Sequence, residues 1–221
     1  MSPPGPILVV NPNSSAAVTA GLDRAVEPFR IPGGPAIECL DIPESPPGIV
    51  TQADVDAAAP RVAAIAAVRR DATALVIACY SQPGLDAARA ATPVPVYGIQ
   101  ECGVLAALTL AERFGVIAVA EAAVPRHLAF LDRIGVSGRL AGELAAEGLT
   151  VAGSGHGEAS FRSLLRTGMR LRDLGAGVIV LGCAGMSDQR APLESALGVA
   201  VIDPTQAAAA FALGRILGAG L

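Results

Sequence analysis

The sequence contains no lysine: all sixteen of its basic residues are arginines. Without a lysine amine, the chain cannot form the Schiff base that pyridoxal-phosphate enzymes and Schiff-base aldolases require. A phosphate-binding Walker lysine is excluded for the same reason. Histidine is nearly as scarce, with only His127 and His156 in the chain. We therefore do not expect a histidine-rich metal site or a catalytic triad centred on histidine.

Three further features are missing, and each absence removes a class of function. No apolar stretch reaches the roughly 18 residues of a membrane-spanning helix, so we expect no membrane partner. The net charge is −4 and no basic stripe is present, which argues against nucleic acid as a partner. No basic segment precedes the first apolar run, so we expect no secretory signal and a cytoplasmic protein.

What the sequence does contain is mostly apolar. Hydrophobic residues make up 52% of its 221 positions, which excludes a disordered chain. That length and composition suffice for one large domain or two small ones. The four cysteines stand at positions 39, 79, 102 and 183, and no two of them form a CxxC pair. Their spacing predicts free, reduced thiols and no metal site.

Short apolar runs alternate with helical patterns along the whole chain. Turn residues separate the runs, and the helical segments are rich in alanine. The predicted strands are 7–10, 36–40, 74–78, 93–98, 114–120, 149–152, 177–182 and 199–202. The predicted helices are 15–29, 55–70, 85–91, 101–112, 124–134, 158–174, 191–196 and 205–217. Continuous apolar strands alternating with helices are typical of parallel sheets covered by helices.

The two halves of the chain contain the same order of elements and match directly at one place. The segment that ends at Cys79 aligns with the segment that ends at Cys183, 104 positions later. Segment 94–97 aligns with 199–202 at nearly the same offset. A repeat this long indicates a duplicated lobe rather than a solenoid. We therefore predict an α/β protein with two pseudo-twofold-related lobes, each a four-stranded parallel sheet flanked by helices.

The repeat gives Cys79 and Cys183 a special position. Each follows a strand at its carboxyl end, where ligands of open parallel sheets bind, and each precedes a turn and a helix. We expect the helix dipole to lower the pKa of both thiols. Two facing acid/base groups suit racemisation, in which one thiolate removes a proton from one face of a carbon and a thiol returns one to the other face. Backbone N–H groups in the following turns would stabilise the carbanion oxygen.

Several motifs in sequence order resemble the aspartate/glutamate/hydantoin racemase superfamily, in its hydantoin and allantoin racemase branch. The resemblance covers 7 to about 210. It rests on Asn-Pro-Asn-Ser at 11–14, Pro-Gly-Ile at 47–49, Ile-Ala-Cys at 77–79 with Pro-Gly-Leu at 83–85, Pro-Val-Tyr-Gly-Ile at 95–99, Leu-Gly-Cys-Ala-Gly-Met at 181–186 and Val-Ile-Asp-Pro at 201–204.

The resemblance implies racemisation of a hydantoin-type substrate, a 5-substituted hydantoin or an allantoin-like ring, without a cofactor. It assigns the two acid/base thiols to Cys79 and Cys183, and it places the small-molecule substrate between two lobes. These lobes would be 1–98 plus 204–221 and 99–203, and relatives often form homo-oligomers. The substrate-binding residues that it implies are Asn11, Asn13, Tyr80, Ser81, Ala184 and Gly185.

Other interpretations of these residues stay open. Asn11 and Asn13 are also typical of a turn and a helix cap, and Tyr80 of a packing aromatic. The chain carries Ala118 and Val119 where relatives tend to carry hydroxyl residues, and Tyr80 where a phenylalanine or a small residue is expected. His127, on the helix after Pro125, is predicted to face solvent or to cap that helix. The two departures affect the choice of substrate and leave the thiols unchanged.

Three alternative functions remain. A related decarboxylase would use one thiol to protonate a carbanion, although that family pattern has a small residue in place of Cys79. A cysteine-dependent isomerase of a small diacid would use one thiol as a nucleophile. A ligand-binding protein would close two lobes on a solute without catalysis. Incorporation of solvent deuterium into unchanged substrate distinguishes a racemase from a decarboxylase and from a binding protein.

Overall fold

The structure is a computed structural model that describes residues 5–151, 153 and 155–218. Eight strands and eight α-helices alternate through these residues. The strands are β1 (Ile7–Val10), β2 (Ile37–Leu40), β3 (Ala74–Ile77), β4 (Val96–Gly98), β5 (Phe114–Ala118), β6 (Leu140–Ala145), β7 (Val178–Gly182) and β8 (Ala200–Ile202). The helices are α1 (Ala16–Val26), α2 (Gln52–Val68), α3 (Leu85–Ala91), α4 (Ile99–Leu108), α5 (Val124–Arg133), α6 (Gly157–Asp173), α7 (Arg190–Leu197) and α8 (Pro204–Gly218).

The strands form two parallel sheets with the same strand order. The first sheet runs β2-β1-β3-β4, and the second runs β6-β5-β7-β8. Val9 pairs with Val76 at the centre of the first sheet, and Val116 pairs with Val180 at the centre of the second. The predicted α/β class, with four parallel strands in each half, is confirmed.

The central strands are apolar throughout because helices cover both of their faces. Every residue of β1, β3, β5 and β7 is buried. Alternate side chains of one strand therefore enter different clusters: Val9 packs with α1 and α8, whereas Leu8 packs with α2 and α3. Parallel strands buried on both sides lack the polar alternation of a sheet that has one solvated face.

The last helix, α8, returns to the first sheet. Ala208, Ala209 and Ala212 of α8 are fully buried in the same cluster as Ile7 and Val9 of β1. The small alanine side chains allow α8 to lie close to the sheet. Asp203 begins this helix, because its Oδ1 accepts hydrogen bonds from the backbone N–H groups of Thr205 and Gln206 at 2.8 and 3.3 Å.

One predicted strand is wrong. The sequence predicts a strand at 149–152, but 149–151 have no strand conformation, and residue 152 lies outside the described residues. The strand of the second sheet that corresponds to β2 of the first sheet is β6, which pairs with β5 at the edge of the second sheet. An edge strand is only half-buried, so it needs no continuous apolar run, and Gly142 and Glu143 interrupt its pattern.

The helices of the described residues include none with both the length and the unbroken apolar character of a membrane span.

Candidate active site

The two predicted acid/base thiols occupy equivalent places in the two sheets. Cys79 follows β3 after one residue, and Cys183 follows β7 directly. β3 and β7 are each third in the order of their sheets. Each cysteine then begins a similar turn: the backbone N–H of Gln82 donates to the Cys79 carbonyl at 2.9 Å, and that of Met186 donates to the Cys183 carbonyl at 3.1 Å.

Both cysteines line one cavity. Segments that follow β1, β3, β5 and β7 form its walls, so it lies at the carboxyl ends of the central strands. The lining residues are mostly apolar or small: Asn13, Val18, Ile49, Val50, Ala78, Cys79, Tyr80, Ser81, Val119, Ala120, Ala123, His127, Val151, Gly182, Cys183, Ala184 and Gly185.

Five of the six predicted substrate-binding residues therefore line this cavity, and Asn11 does not. The Asn11 amide is fully buried behind the loop that follows β1, and its Nδ2 donates to Asn13 Oδ1 at 2.9 Å. The backbone N–H of Ser15 also donates to Asn13 Oδ1, at 2.8 Å. These two bonds orient the Asn13 side chain, whose Nδ2 has no hydrogen-bond acceptor within the described residues. Asn11 thus positions Asn13, which borders the cavity.

The expected low pKa of the Cys79 thiol is wrong for this cavity. Burial raises the pKa of Cys79 to about 12, and the nearby Cys183 contributes in the same direction. The backbone N–H groups of Ser81 and Gln82 and the charge of Arg126 lower this pKa only in part. An apolar cavity removes the water that would solvate a thiolate, and this loss outweighs the dipoles of a short turn. Cys79 is therefore a protonated thiol at neutral pH.

The other two cysteines do not line the cavity. Cys39 lies in β2 and Cys102 in α4, as predicted, and both pack in the cluster formed by β1 and α8. Burial raises the pKa of each thiol to about 12. Their location favours a packing role.

His127 is a part of the site that the sequence prediction misplaced. It is 2% exposed and lines the cavity, so the prediction that it faces solvent or caps the helix is wrong. Its Nε2 lies 2.9 Å from Ser81 Oγ, and its Nδ1 lies 2.6 Å from Glu143 Oε1 on β6. The Tyr80 ring packs edge-on against the imidazole at 4.9 Å between centroids. The spacing of four residues from the buried Leu131 was the sequence signal that could have placed His127 on the inner face of α5.

Arg126 connects α5 to two segments of the first lobe, the loop that contains Val50 and the turn that contains Ser81. Its Nε donates to Ser81 Oγ at 2.8 Å, and its Nη2 donates to the Val50 carbonyl at 2.6 Å. Its Nη1 donates to the Ala122 carbonyl one helical turn earlier, at 3.0 Å. Burial lowers the pKa of this guanidinium, although it remains a cation. Arg126 therefore holds α5 against the two loops that border the cavity.

The cavity wall itself carries no Arg, Asp or Glu among the residues that the structure describes. Its ionisable groups are Cys79, Cys183, Tyr80 and His127. No three side chains of His, Cys, Asp or Glu lie together in a way that could hold a metal ion within the described ranges. The site combines two thiols from equivalent strand ends, one amide group and one buried polar network.

Comparison with known proteins links this chain to one family. The family model for Asp/Glu/Hydantoin racemase matches residues 7–212. A hydantoin racemase from Paenarthrobacter aurescens is 33% identical over 210 residues, which cover 91% of this chain and 87% of the relative. The structure of an allantoin racemase from Klebsiella pneumoniae is 28% identical, with a TM-score of 0.90, and the match covers 98% of this chain and 89% of that one. An allantoin racemase from Pseudomonas fluorescens is 26% identical, with a TM-score of 0.89 and coverages of 98% and 92%.

Proposed function

The chain belongs to the Asp/Glu/hydantoin racemase family, and we propose that it inverts the α-carbon of a hydantoin-type substrate, a 5-substituted hydantoin or an allantoin-like ring. It is a racemase, and hence an isomerase, of the hydantoin and allantoin branch. The observation that carries the proposal is that Cys79 and Cys183 line one cavity from equivalent ends of two equivalent strands.

The proposed reaction is a proton exchange at one carbon. A thiolate sulfur removes the proton from one face of the α-carbon, and the electron pair moves onto the adjacent ring carbonyl as an enolate. The opposite thiol then delivers its own proton to the other face, so that thiol and thiolate exchange roles in each turnover. Because the ring carbonyl holds the charge, the scheme requires no cofactor.

Cys79 enters the proposed cycle as a thiol. Burial keeps its proton in place at neutral pH, because it raises the pKa of the thiol, and the nearby Cys183 contributes in the same direction. Cys79 is therefore suited to deliver a proton to the enolate.

The composition of the wall supports a neutral ring as substrate. A free amino acid or a dicarboxylate requires cations at its carboxylates, and the lining residues that the structure describes include no arginine. The chain contains no lysine to supply one. The Asn13 amide and the Ser81 hydroxyl are suited to the N–H and C=O groups of a cyclic amide.

Three organisational features belong to the same proposal. The lobes that enclose the substrate would be 1–98 plus 204–221 and 99–203. Self-association into a homo-oligomer is supported by Leu105 and Phe211, which are exposed side by side on α4 and α8. A cytoplasmic location is supported by Cys39, Cys79 and Cys102, which form no disulfide bond among the described residues. Light scattering coupled to gel filtration tests the oligomer.

Heavy water provides the test of this function. Each enantiomer of a panel of 5-substituted hydantoins and of allantoin is incubated with the protein in D2O, and the α-position is followed by proton NMR. A racemase introduces deuterium at the α-carbon while the optical rotation decays to zero. Label that appears only in a decarboxylated product from a malonate, or no label with any ring, contradicts the proposal.

A further inference from the structure

Helix α5 packs on the second sheet but also contacts segments of the first. Its Leu131 is fully buried in one cluster with Val116 of β5. Earlier in the same helix, Arg126 contacts the turn after β3 and the loop between β2 and α2. The turn after β3 begins at Cys79, whereas Cys183 follows β7 of the second sheet. Arg126 therefore bridges the two halves of the molecule that carry the two thiols.

All three nitrogens of the Arg126 guanidinium have an acceptor. Nε donates to Ser81 Oγ at 2.8 Å, Nη2 to the Val50 carbonyl at 2.6 Å, and Nη1 to the Ala122 carbonyl at 3.0 Å. These acceptors lie on three separate segments, and the planar guanidinium donates only in fixed directions. The three hydrogen bonds therefore fix the segments relative to one another. A lysine ammonium, which is a point charge on a flexible stem, supplies the same charge without this geometry.

The two segments that Arg126 contacts in the first lobe both form part of the cavity wall. Ser81 and Val50 line the cavity, and Ser81 is the second residue after Cys79. Val50 is held from both ends, because its N–H donates to Asp54 Oδ2 at 3.0 Å while its carbonyl accepts from Arg126. Arg126 itself is not among the lining residues. Its replacement would therefore loosen the wall beside Cys79 without removing any side chain that lines the cavity.

Two other residues of α5 contact the first lobe, and they differ from Arg126 in useful ways. His127 contacts Ser81 Oγ at 2.9 Å, but it lines the cavity, so its replacement would alter the wall itself. Arg133 forms an ion pair with Asp86 on α3 at 2.6 Å, and both of these side chains are more than half exposed. Exposed ion pairs contribute little, because water and salt screen them. Arg133 is therefore a matched control: it is an arginine of the same helix that contacts the same lobe away from the cavity wall.

From this geometry we infer that Arg126 is a positioning residue for the proton transfer. It fixes the turn that begins at Cys79 relative to the second sheet, and thereby aligns the two thiols with each other. The inference rests on the proposed function, since this alignment affects the reaction only if both thiols act on one carbon. Removal of the α-proton requires one aligned thiolate, whereas inversion also requires that the other thiol delivers its proton to the enolate. Loss of the three hydrogen bonds should therefore impair inversion more than proton removal.

Solvent exchange and inversion separate these two steps. In D2O, a thiolate takes the α-proton, the resulting S–H exchanges with solvent, and the S–D returns deuterium to the same face of the enolate carbon. This route gives labelled substrate of unchanged configuration, whereas deuteration by the second thiol gives the other enantiomer. The ratio of exchange to inversion therefore reports the alignment of the second thiol. A smaller amount of folded protein lowers both rates equally and leaves this ratio unchanged.

Proton NMR and chiral chromatography in D2O measure this ratio in wild type and in three variants. Arg126→Gln should lower the inversion rate by up to about 10²-fold and raise the ratio about tenfold, the size of effect expected when reacting groups are slightly misplaced. Arg126→Lys should behave like Arg126→Gln, because a charge alone does not hold three acceptors. Arg133→Gln should retain the wild-type ratio. The inference is overturned if the ratio stays unchanged in Arg126→Gln, if Arg126→Lys restores it, or if Arg133→Gln raises it equally.

A thiol cross-link tests the alignment without any substrate. Dibromobimane carries two alkylating carbons, each of which forms a C–S bond with a thiolate and releases bromide, so it joins two thiols only when both are within its reach. In a Cys39→Ser, Cys102→Ala background, mass spectrometry measures the fraction of chains in which Cys79 and Cys183 are joined. Arg126→Gln should lower this fraction, and equal fractions with and without this change overturn the inference. If wild type racemises no ring, the proposed function fails, and the cross-linked fraction still decides the inference.

Discussion

The turn after Cys79 and the turn after Cys183 share a backbone frame but carry different side chains. The first turn presents Tyr80 and Ser81, and it ends at Gln82, which adopts a left-handed φ of 48°. The side-chain oxygen of Gln82 accepts from the first turn of α4, at the N–H of Glu101, at 2.9 Å. The second turn continues as a short 3₁₀ segment with Ala184 and Gly185 facing the cavity.

In the proposed reaction, this difference separates proton transfer from recognition of the substrate. The repeated sheets place the two thiols at matching strand ends, as the proposed proton transfer at opposite faces requires. The side chains of the turns differ: the first turn carries the Ser81 hydroxyl, which contacts Arg126 and His127, and the second carries small residues, which would leave room for the proposed ring. The left-handed backbone conformation of Gln82 is unfavourable for a residue other than glycine. It accompanies the hydrogen bond that joins the Gln82 side chain to α4.

Replacing either thiol should have the largest effect. Cys79→Ser and Cys183→Ser should each lower the racemisation rate about 10²–10⁴-fold, because a serine hydroxyl is far less acidic than a thiol. Polarimetry with both enantiomers measures this loss. Cys39→Ser is the matched control, since Cys39 packs in β2 away from the cavity, and it should retain the wild-type rate. A similar loss in Cys39→Ser would show that the effect does not come from the site.

Alkylation should have a smaller effect and should report on the thiol of the first turn. At pH 8, a thiol with a pKa of about 12 is a thiolate in only roughly one molecule in 10⁴, so iodoacetamide should modify Cys79 slowly. Modification of Cys79 should rise about tenfold per pH unit up to its pKa. Mass spectrometry of the peptides after timed quenching measures this rate. A rate that is the same at pH 8 and pH 10 would contradict the raised pKa of Cys79.

The buried thiols outside the cavity should make the fold sensitive to alkaline pH. The pKa of Cys102 is about 12 in the folded chain against an ordinary value of 9.0. Because this pKa is raised in the folded chain, the protonated Cys102 contributes fully to the free energy of unfolding below pH 9. The contribution is lost between pH 9 and 12, by about 1.4 kcal/mol per pH unit. Urea titrations at pH 8 and pH 10.5 should show this decrease, and Cys102→Ala should have a shallower dependence. Equal slopes in the two proteins would contradict the burial of this thiol.

The smallest effect is expected at Tyr80. Its hydroxyl is buried without a hydrogen-bond partner in the described part of the chain, so Tyr80→Phe removes an unsatisfied polar group. The free energy of unfolding should stay unchanged or rise by about 1 kcal/mol. Tyr97→Phe, at a partly exposed tyrosine, is the control and should change stability less. Destabilisation by Tyr80→Phe beyond 1 kcal/mol would show that the hydroxyl has a partner in solution.

The repeated strand pattern was sufficient to predict the architecture, because central parallel strands are buried on both faces and leave apolar runs in the sequence. The edge strand β6 was missed for the same physical reason: it is half-buried, and the buried side chain of Glu143, which contacts His127, interrupts its apolar pattern. The pair of thiols was predictable from the repeat because equivalent strand ends of duplicated sheets face the same cleft.

The polar network was not predictable in the same way. Ser81, His127 and Glu143 are 46 and 16 residues apart in sequence, and only the packing of α5 against β6 joins them. The pKa of Cys79 was also mispredicted, because the turn and helix that favour a thiolate are visible in the sequence, whereas the closure of the apolar cavity is a property of the fold.

Hydrogen exchange followed separately for each enantiomer, in both thiol variants, tests the two-thiol account most directly. In Cys79→Ser, the remaining Cys183 should exchange the α-hydrogen of one enantiomer with D2O without inverting it. In Cys183→Ser, the remaining Cys79 should exchange only the other enantiomer. Opposite preferences in the two variants would establish that the thiols act on opposite faces of one carbon. Exchange of the same enantiomer by both variants, or near-normal racemisation in either, would contradict this account.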